Sequence, residues 1–506
     1  MIKIAILGFG TVGSGVYEVL NKNRIEIAHN AAEEIEVKYI VDIRDFSGTE
    51  VESLVTKDFS AVESDPEVQI VVETIGGAKI AYDYTKRALL AGKSVITSNK
   101  ELVAAHGLEL ISIARERNLN YLFEASVGGG IPIISPITQC LTGNELDEIY
   151  GILNGTTNFI LTSMVQDGAS FEDALREAQK RGYAELDPTA DVEGIDAARK
   201  ICILADLCFG KNVNPDSVGR KGISSVTLAD VEYARRLGYK IKLLGRAYKM
   251  PLGRIAAYVA PHLISKTSLL SNVDGVMNGI VVHGNAIGEC MFYGAGAGKL
   301  PTASAVVADI IDAVKHMKSR KYLGWDEAEE GYVVPASELV SRWYVRTGSG
   351  LRAIGEAFGD LRLISYQGEY PSAGPDEFKH RLFRLVLPED ILPVFTGEYQ
   401  SFPSVAPVVQ IFFHDLLTGK GKAEGILDPF IEVDGFELCR LFLIGEGKRL
   451  LWKQCVLQGL CVFANHHAPH QFKRAKDVAL SRRICPVDGS YRQDLPIAIR
   501  RQQGFL

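Results

Sequence analysis

The first thirteen residues restrict the fold more than any other stretch of the chain. An apolar run, Ile2-Lys3-Ile4-Ala5-Ile6-Leu7, leads straight into Gly8-Phe9-Gly10-Thr11-Val12-Gly13, and the periodicity that follows predicts a helix over 10–23. A second strand, Ile35-Glu36-Val37-Lys38-Tyr39-Ile40-Val41, ends at Asp42 and completes a βαβ unit. A lone Gly-x-Gly-x-x-Gly also fits a tight structural turn. Between a strand and a helix it fits a dinucleotide site: Gly8 permits the turn, Gly10 lets the backbone approach a pyrophosphate, and Gly13 lets the helix pack closely on the strand. Gly8, Phe9, Gly10, Thr11, Val12 and Gly13 are the candidate coenzyme-binding residues of this loop.

Further buried strands are predicted at 68–72, 94–97 and 120–123, with helices near 80–91 and 107–117. Strand and helix alternating in this way predict an α/β fold with a doubly wound parallel sheet over residues 1–133. From 134 a separate α+β domain is expected, reaching about 300, with a strand near 149–153 and helices broken by a polar loop at 182–194. A helix beginning at Pro301 and running to about 318 returns the chain to the first domain, so that 301–320 complete it. After 335 the apolar pattern breaks up, and residues 471–506 carry eight Lys or Arg against three Asp, which suits either a regulatory domain or a loosely packed tail.

Composition excludes several classes of protein. A chain of 506 residues accommodates roughly three domains of about 100–200 residues each. With 47% hydrophobic and 23% charged residues and a net charge of −7, it is neither disordered nor a polycation, so no nucleic-acid partner is expected. No apolar run approaches the roughly 20 residues of a membrane helix, so no membrane partner is expected either. The apolar run at residues 2–7 leads straight into a glycine turn, so no signal peptide is expected. Eight scattered cysteines without CxxC spacing argue against a zinc knuckle or disulfide framework, and a reduced, cytoplasmic compartment is the default.

The end of the second strand bears on the coenzyme. An acid there suits the ribose of NAD and a base suits the phosphate of NADP; Asp42 and Arg44 supply one of each, though Arg44 also reads as a solvated loop residue, and Lys57 is a weaker second base. Asp42 lies 29 residues after Gly13 where about 20 is usual, so an extra turn or loop is expected between them. Thr97-Ser98-Asn99-Lys100 follows a strand whose end should meet the ligand edge of the sheet, which gives Lys100 two readings, a group facing the nicotinamide or an exposed residue capping a turn.

Asp196 and Lys200 are four apart and share a helix face, as a surface ion pair would. The loop before them packs four acids, Glu185, Asp187, Asp191 and Glu193, and carboxylates at that density repel one another or bind something cationic or hydroxylated. Asn154-Gly155-Thr156-Thr157-Asn158 suits either helix capping or hydrogen bonding to a small polar ligand. The loop Gly294-Ala295-Gly296-Ala297-Gly298-Lys299 lacks the Gly-Lys-Ser/Thr of a triphosphate cradle and reads as a cover near the coenzyme. His466, His467 and His470 read as a surface cluster and His106 as a packing residue.

Taken together, residues 1–320 resemble homoserine dehydrogenase. The segments that carry the resemblance are Ile4–Gly13, Val71-Val72-Glu73-Thr74-Ile75-Gly76-Gly77, Thr97–Lys100, Phe123–Pro132, Gly151–Asn158, Gly182–Lys200 and Tyr293–Asp309. The resemblance implies NAD(P)-linked interconversion of L-homoserine and L-aspartate 4-semialdehyde, on the route to threonine, methionine and isoleucine. It implies that Lys200 and Lys100 bracket the reacting oxygen with Asp196 holding substrate and Lys200, that Glu185 and Asp191 bind the substrate's amino or hydroxyl end, and that Gly155, Thr156 and Tyr183 shape its pocket. Arg44, Thr97, Ser98, Lys100 and Gly296 join the coenzyme site. A monovalent cation, Na+ or K+, would fall on Glu124 and the carbonyls of Val127, Gly129 and Ile131. The second domain would then be catalytic and dimerising, in a homodimer or homotetramer. Ser341–Arg346 and Gly350–Ile354 faintly resemble the start of an ACT domain, so residues 335–506 read as a possible divergent regulatory domain sensing threonine. A dinucleotide-binding regulatory protein on the same scaffold, or another dehydrogenase of a small aldehyde or amino acid, are the competing readings; the joint presence of Lys100, Asp196 and Lys200 favours catalysis.

Overall fold

Six short apolar runs form the first sheet in a computed structural model of the chain, which describes residues 1–318, 323–339 and the strand segments 344–347, 362–364, 381–384, 391–396, 443–444 and 448–449. The strands are β1 (Ile2–Leu7), β2 (Ile35–Val41), β3 (Val55–Thr56), β4 (Val68–Glu73), β5 (Ser94–Thr97) and β6 (Tyr121–Leu122), all parallel and ordered β3-β2-β1-β4-β5-β6. Ile4, Ala5, Ile6 and Leu7 have no exposed surface, as a central strand covered on both faces requires. The strand order reverses between β1 and β4, which opens a crevice at their carboxyl ends. In register, Leu7 lies beside Val41 and Glu73, and Glu73 beside Thr97, so the residues after all four strands meet at one edge.

The helices differ from expectation in two useful ways. The segment after the glycine turn holds two helices, α1 (Thr11–Lys22) and α2 (Arg24–Ala31), and α2 accounts for the long spacing between Gly13 and Asp42. After α3 (Ser60–Ser64) and α4 (Ala78–Leu90), helix α5 runs Lys100–Glu116 and so begins seven residues earlier than the predicted 107. The cause is Asn99, whose side chain accepts hydrogen bonds from the Glu101 and Leu102 amides and caps the helix. Lys100 is therefore the first residue of a helix and not part of a turn.

The second sheet is mostly antiparallel. Strands β7 (Leu146–Ile152), β8 (Gly219–Arg220), β9 (Tyr239–Lys249), β10 (Ile255–Ser265), β11 (Met277–Gly284) and β12 (Gly288–Ala295) give the path β12-β11-β7-β9-β10, with β8 pairing β10. Helices α6 (Gly155–Gln166), α7 (Phe171–Lys180), α8 (Thr189–Val192), α9 (Ile195–Phe209) and α10 (Leu228–Arg236) accompany it. Gly245 of β9 lets α9 approach, since a Cβ there would lie 3.2 Å from Ile201 Cβ and 2.8 Å from Leu153 Cδ1. Helix α11 (Lys299–Lys315) then returns to the first sheet, where Ala303, Val306 and Ile310 share a core with Ile4, Ile6 and Val16.

Strands Tyr344–Thr347, Arg362–Ile364, Arg381–Arg384 and Ile391–Thr396 continue the second sheet from β10. The ACT-like reading of 350–354 and the histidines at 466, 467 and 470 lie outside the described residues. The chain divides into units Met1–Gln410 and Ile411–Leu506; in the second, Leu443–Ile444 pairs with Lys448–Arg449. Among the described residues no helix is long and apolar enough to cross a membrane, and Cys140, Cys202, Cys208 and Cys290 are free thiols.

Candidate active site

Each glycine of the opening loop has its own geometry. Gly8 has φ +85°, a conformation that side chains disfavour, and a Cβ there would also lie 3.0 Å from the Thr74 carbonyl oxygen. A Cβ on Gly13 would lie 2.0 Å from the Gly8 carbonyl oxygen, so helix and strand pack too closely for any other residue. Nothing stands within 4 Å of a Cβ on Gly10, and that open side is where a pyrophosphate would approach. Gly10 caps α1 without a side-chain bond, and no described residue accepts from the Thr11, Val12 or Gly13 amides. A helix start with free amides at a positive dipole end suits an anion.

Asp42 and Arg44 are partners, not competitors. Arg44 donates to Asp42 through its backbone amide (2.9 Å), Nε (3.0 Å) and Nη2 (2.7 Å), and Phe9 donates its amide at 2.7 Å. The Arg44 bonds hold the Asp42 carboxyl well below the usual range despite partial burial. The aspartate is buried and its oxygens are engaged, while the guanidinium stays half exposed at the mouth of the crevice beside Phe46. Thr97 is also engaged: its hydroxyl donates to Glu73 and accepts from the Asn99 amide, and Ser98 donates its amide to the Glu73 carbonyl. Any contact of Thr97 with a coenzyme therefore falls to its backbone.

Lys100, Asp196 and Lys200 converge from two helix starts. Asp196 Oδ1 lies 2.5 Å from Lys100 Nζ, and Oδ2 lies 2.8 Å from Lys200 Nζ. Lys200 also donates to the Leu153 carbonyl at 2.8 Å, which leaves one of its three donors open. Asp196 and Lys200 are buried, so the pair is no surface i,i+4 bridge. Burial would raise the Asp196 carboxyl, but the two ammonium groups overcome it and hold it well below the carboxylate range. Burial lowers Lys200, which Asp196 offsets only in part; Lys100, half open to solvent, is raised because Asp196 outweighs desolvation. One lysine is thus eased toward releasing a proton while the other stays firmly charged.

Two connections escaped the sequence reading. Asn154 both caps α6, accepting from the Thr157 amide, and donates Nδ2 to Asp191 (2.7 Å) and Asp196 (2.9 Å). Arg199 Nη1 lies 2.6 Å from Glu101 Oε1 and ties α9 to α5, the two helices that carry the triad. Both partners are far apart in sequence, and nothing local signals them.

The four acids of the preceding loop separate. Asp191 is half buried, and burial raises its carboxyl although Asn154 opposes the shift. Glu185 is exposed and its carboxylate makes no bond to the described residues; Asp187 caps the Thr189 amide. Thr156 donates to the Tyr183 carbonyl at 2.6 Å, and the Tyr183 ring packs edge-on against Phe159 at 5.2 Å. Gly155 meets the backbone, since a Cβ there would lie 2.7 Å from the Val276 carbonyl oxygen. Gly296 is wedged between loop and strand: a Cβ on it would lie 2.1 Å from Asn278 Nδ2, and a Cβ on Gly129 would lie 2.4 Å from the Gly296 oxygen.

Glu124 accepts three backbone bonds, from Ile133 (2.7 Å) and Ile134 (2.8 Å) on Oε1 and from Ser135 (2.7 Å) on Oε2. The carbonyls of Val127, Gly129 and Ile131 belong to buried residues and accept no hydrogen bond from any described residue. No cluster of three or more His, Cys, Asp or Glu suited to a metal occurs among the described residues.

A doubly wound sheet with an anion-ready helix at its switch point, together with two ammonium groups on one buried carboxylate, is the combination of a nicotinamide-dependent oxidoreductase. Residues 8–124 match the family model described as homoserine dehydrogenase, NAD binding domain, and residues 132–311 match that described as homoserine dehydrogenase. The chain is 47% identical over 353 residues to a homoserine dehydrogenase of Pseudomonas aeruginosa, covering 68% of this chain and 81% of that protein. It resembles the solved homoserine dehydrogenase of Thiobacillus denitrificans with a TM-score of 0.69 and 35% identity, over 78% of this chain and 98% of that one. A hyperthermophilic archaeal homoserine dehydrogenase in complex with NADPH matches with a TM-score of 0.53 and 31% identity, over 62% of this chain and 97% of that one. The chain belongs to the homoserine dehydrogenase family.

Proposed function

We propose that the protein interconverts L-aspartate 4-semialdehyde and L-homoserine with NAD(P), in the synthesis of threonine, methionine and isoleucine. The observation that carries this reading is the grip of one buried carboxylate, Asp196, on Lys100 and Lys200. Bound NAD(P) supplies or accepts the hydride. As hydride reaches the aldehyde carbon, negative charge builds on its oxygen, and the open donor of Lys200 stabilises that charge and delivers the proton, giving the alcohol. Asp196 keeps Lys200 in place, and Lys100 adds a second positive charge beside the same oxygen. Glu185 and Asp191 receive the substrate's ammonium, in a pocket shaped by Gly155, Thr156 and Tyr183.

Gly8 to Gly13 hold the pyrophosphate, with Thr97, Ser98, Lys100 and Gly296 toward the nicotinamide. NADP is the favoured coenzyme, because Arg44 stays half exposed while Asp42 is engaged by four donors, which leaves it poorly placed for ribose hydroxyls. The archaeal relative bound to NADPH supports the same reading. Glu124 with the carbonyls of Val127, Gly129 and Ile131, which accept no hydrogen bond from any described residue, fits a monovalent cation, Na+ or K+, since oxygen donors with one negative charge suit a hard ion. We read residues 1–133 with 301–320 as the coenzyme domain and 134–300 as the catalytic and dimerising domain of a cytoplasmic homodimer or homotetramer. The edge strand β12, with Tyr293 57% exposed, supports an association there.

Homoserine-dependent reduction of NAD and of NADP, each with and without threonine, tests the reading. Turnover faster with NADP supports it, and a threonine effect would extend it to regulation. Coenzyme binding without turnover would favour a dinucleotide-binding regulator instead.

A further inference from the structure

Glu73 closes β4 with no exposed surface, and no Lys, Arg or His among the described residues pairs with it. Burying a carboxyl without a cation is unfavourable, so its hydrogen bonds need a reason. They join the two halves of the site. Oε1 accepts from the Ile75 amide at 2.6 Å, and Oε2 accepts from the Thr97 hydroxyl at 2.5 Å. On one side lies the glycine turn: Thr74 donates its hydroxyl to the Gly8 carbonyl at 2.7 Å and its amide to the Leu7 carbonyl at 2.9 Å. On the other lies the lysine. Thr97 accepts from the Asn99 amide at 2.9 Å, and Asn99 caps the helix that Lys100 begins. Asn99 Nδ2 closes the circuit by donating to the Ile75 and Gly77 carbonyls at 3.1 and 2.8 Å.

We propose that Glu73 is a positioning residue that couples occupancy of the glycine turn to the placement of Lys100, through Thr97 and Asn99. The inference rests on the reading of Lys100 as an active-site ammonium. Gln or Leu would fill the same space, but neither offers two acceptors in these directions. Burial, only partly offset by Thr97, the Ile75 amide and the Asn99 side chain, pushes the Glu73 carboxyl up to about 7. The titratable group that faces it is Tyr121 of β6, whose buried hydroxyl has no hydrogen-bond partner among the described residues and is itself raised by burial and by Glu73. Protonation of Glu73 removes an acceptor from the circuit, so turnover should rise with pH through about 7.

The test uses the full-length protein and the variants E73Q and T97V, which keep the side-chain shapes. NADPH affinity is measured by fluorescence titration, kcat and KM across pH, and amide hydrogen exchange over residues 100–103 with and without NADPH. The expected result is NADPH affinity within about threefold of the parent for E73Q and kcat lower by about tenfold or more for both variants. E73Q should also lose the rise near neutrality, and both variants should lose the NADPH-induced protection over 100–103 that the parent shows. Parental kcat, pH profile and protection in both variants would overturn the proposal; should E73Q fail to fold, T97V decides on the same readouts. A parent that binds NADPH but does not turn homoserine over would refute the catalytic reading, and the exchange comparison would still decide the coupling.

Discussion

The carboxyl end of β4 and the first turn of α9 each bury one carboxyl group, and the two behave in opposite ways. Asp196 has two ammonium groups within 2.8 Å and stays ionised in spite of its burial. Glu73 has hydroxyl and amide donors but no cation among the described residues, and burial prevails. Burial raises a carboxyl in both places, and only full opposite charges outweigh it here. The protein thus keeps a fixed negative charge where two lysines must be held, and a titratable one in the circuit behind them.

The largest effect expected from this contrast is that of D196N. Removing the charge leaves the buried Lys200 ammonium without its counter-ion, with the half-open Lys100 nearby, which should cost about 3–5 kcal/mol of stability and lower turnover on the order of a hundredfold or more. Denaturant unfolding and steady-state kinetics would check it; a stable, active variant would show that the two lysines do not depend on the Asp196 charge.

The pH dependences of the two groups have opposite signs. The folded Asp196 is more acidic than in the unfolded chain, so its contribution is present above the ordinary carboxylate range and lost as pH falls through its depressed value. The folded Glu73 is less acidic, so its contribution is complete below its ordinary value of 4.5 and lost as pH rises through about 7. Between about pH 4 and pH 9 the stability of E73Q relative to the parent should improve by about 3 kcal/mol. Melts of both proteins across that range would show it, and a constant gap would contradict the assignment of Glu73 as buried without a cation.

A smaller change is expected at the coenzyme mouth, where the charge pair is partly open to water. R44A should weaken NADPH binding by about tenfold and leave NADH binding nearly unchanged, as paired titrations would report. Equal loss of both coenzymes would mean that Arg44 serves only to hold Asp42.

Much of this was legible in the sequence because it is local. The glycine turn lies within six residues, and the i,i+4 spacing of Asp196 and Lys200 puts them on one helix face. What local pattern could not give was burial, which separates a surface ion pair from a held ammonium, or contacts made by the fold. Asn154 reaches Asp191 and Asp196 across 37 and 42 residues, and Arg199 reaches Glu101 across 98. Glu73 was visible as a residue of its motif, but its lack of a cation among the described residues is a property of what packs around it. The early start of α5 was readable in principle, since Asn99 is a favourable N-cap followed by good helix formers.

In the proposed reaction Lys200, held by Asp196 and the Leu153 carbonyl, delivers the proton that accompanies hydride transfer. The direct measurement is aspartate-semialdehyde-dependent oxidation of NADPH by the parent and K200A, alongside NADPH binding to each. The expected result is a loss of kcat on the order of 10²–10⁴ with NADPH affinity little changed. Near-parental turnover by K200A would contradict it.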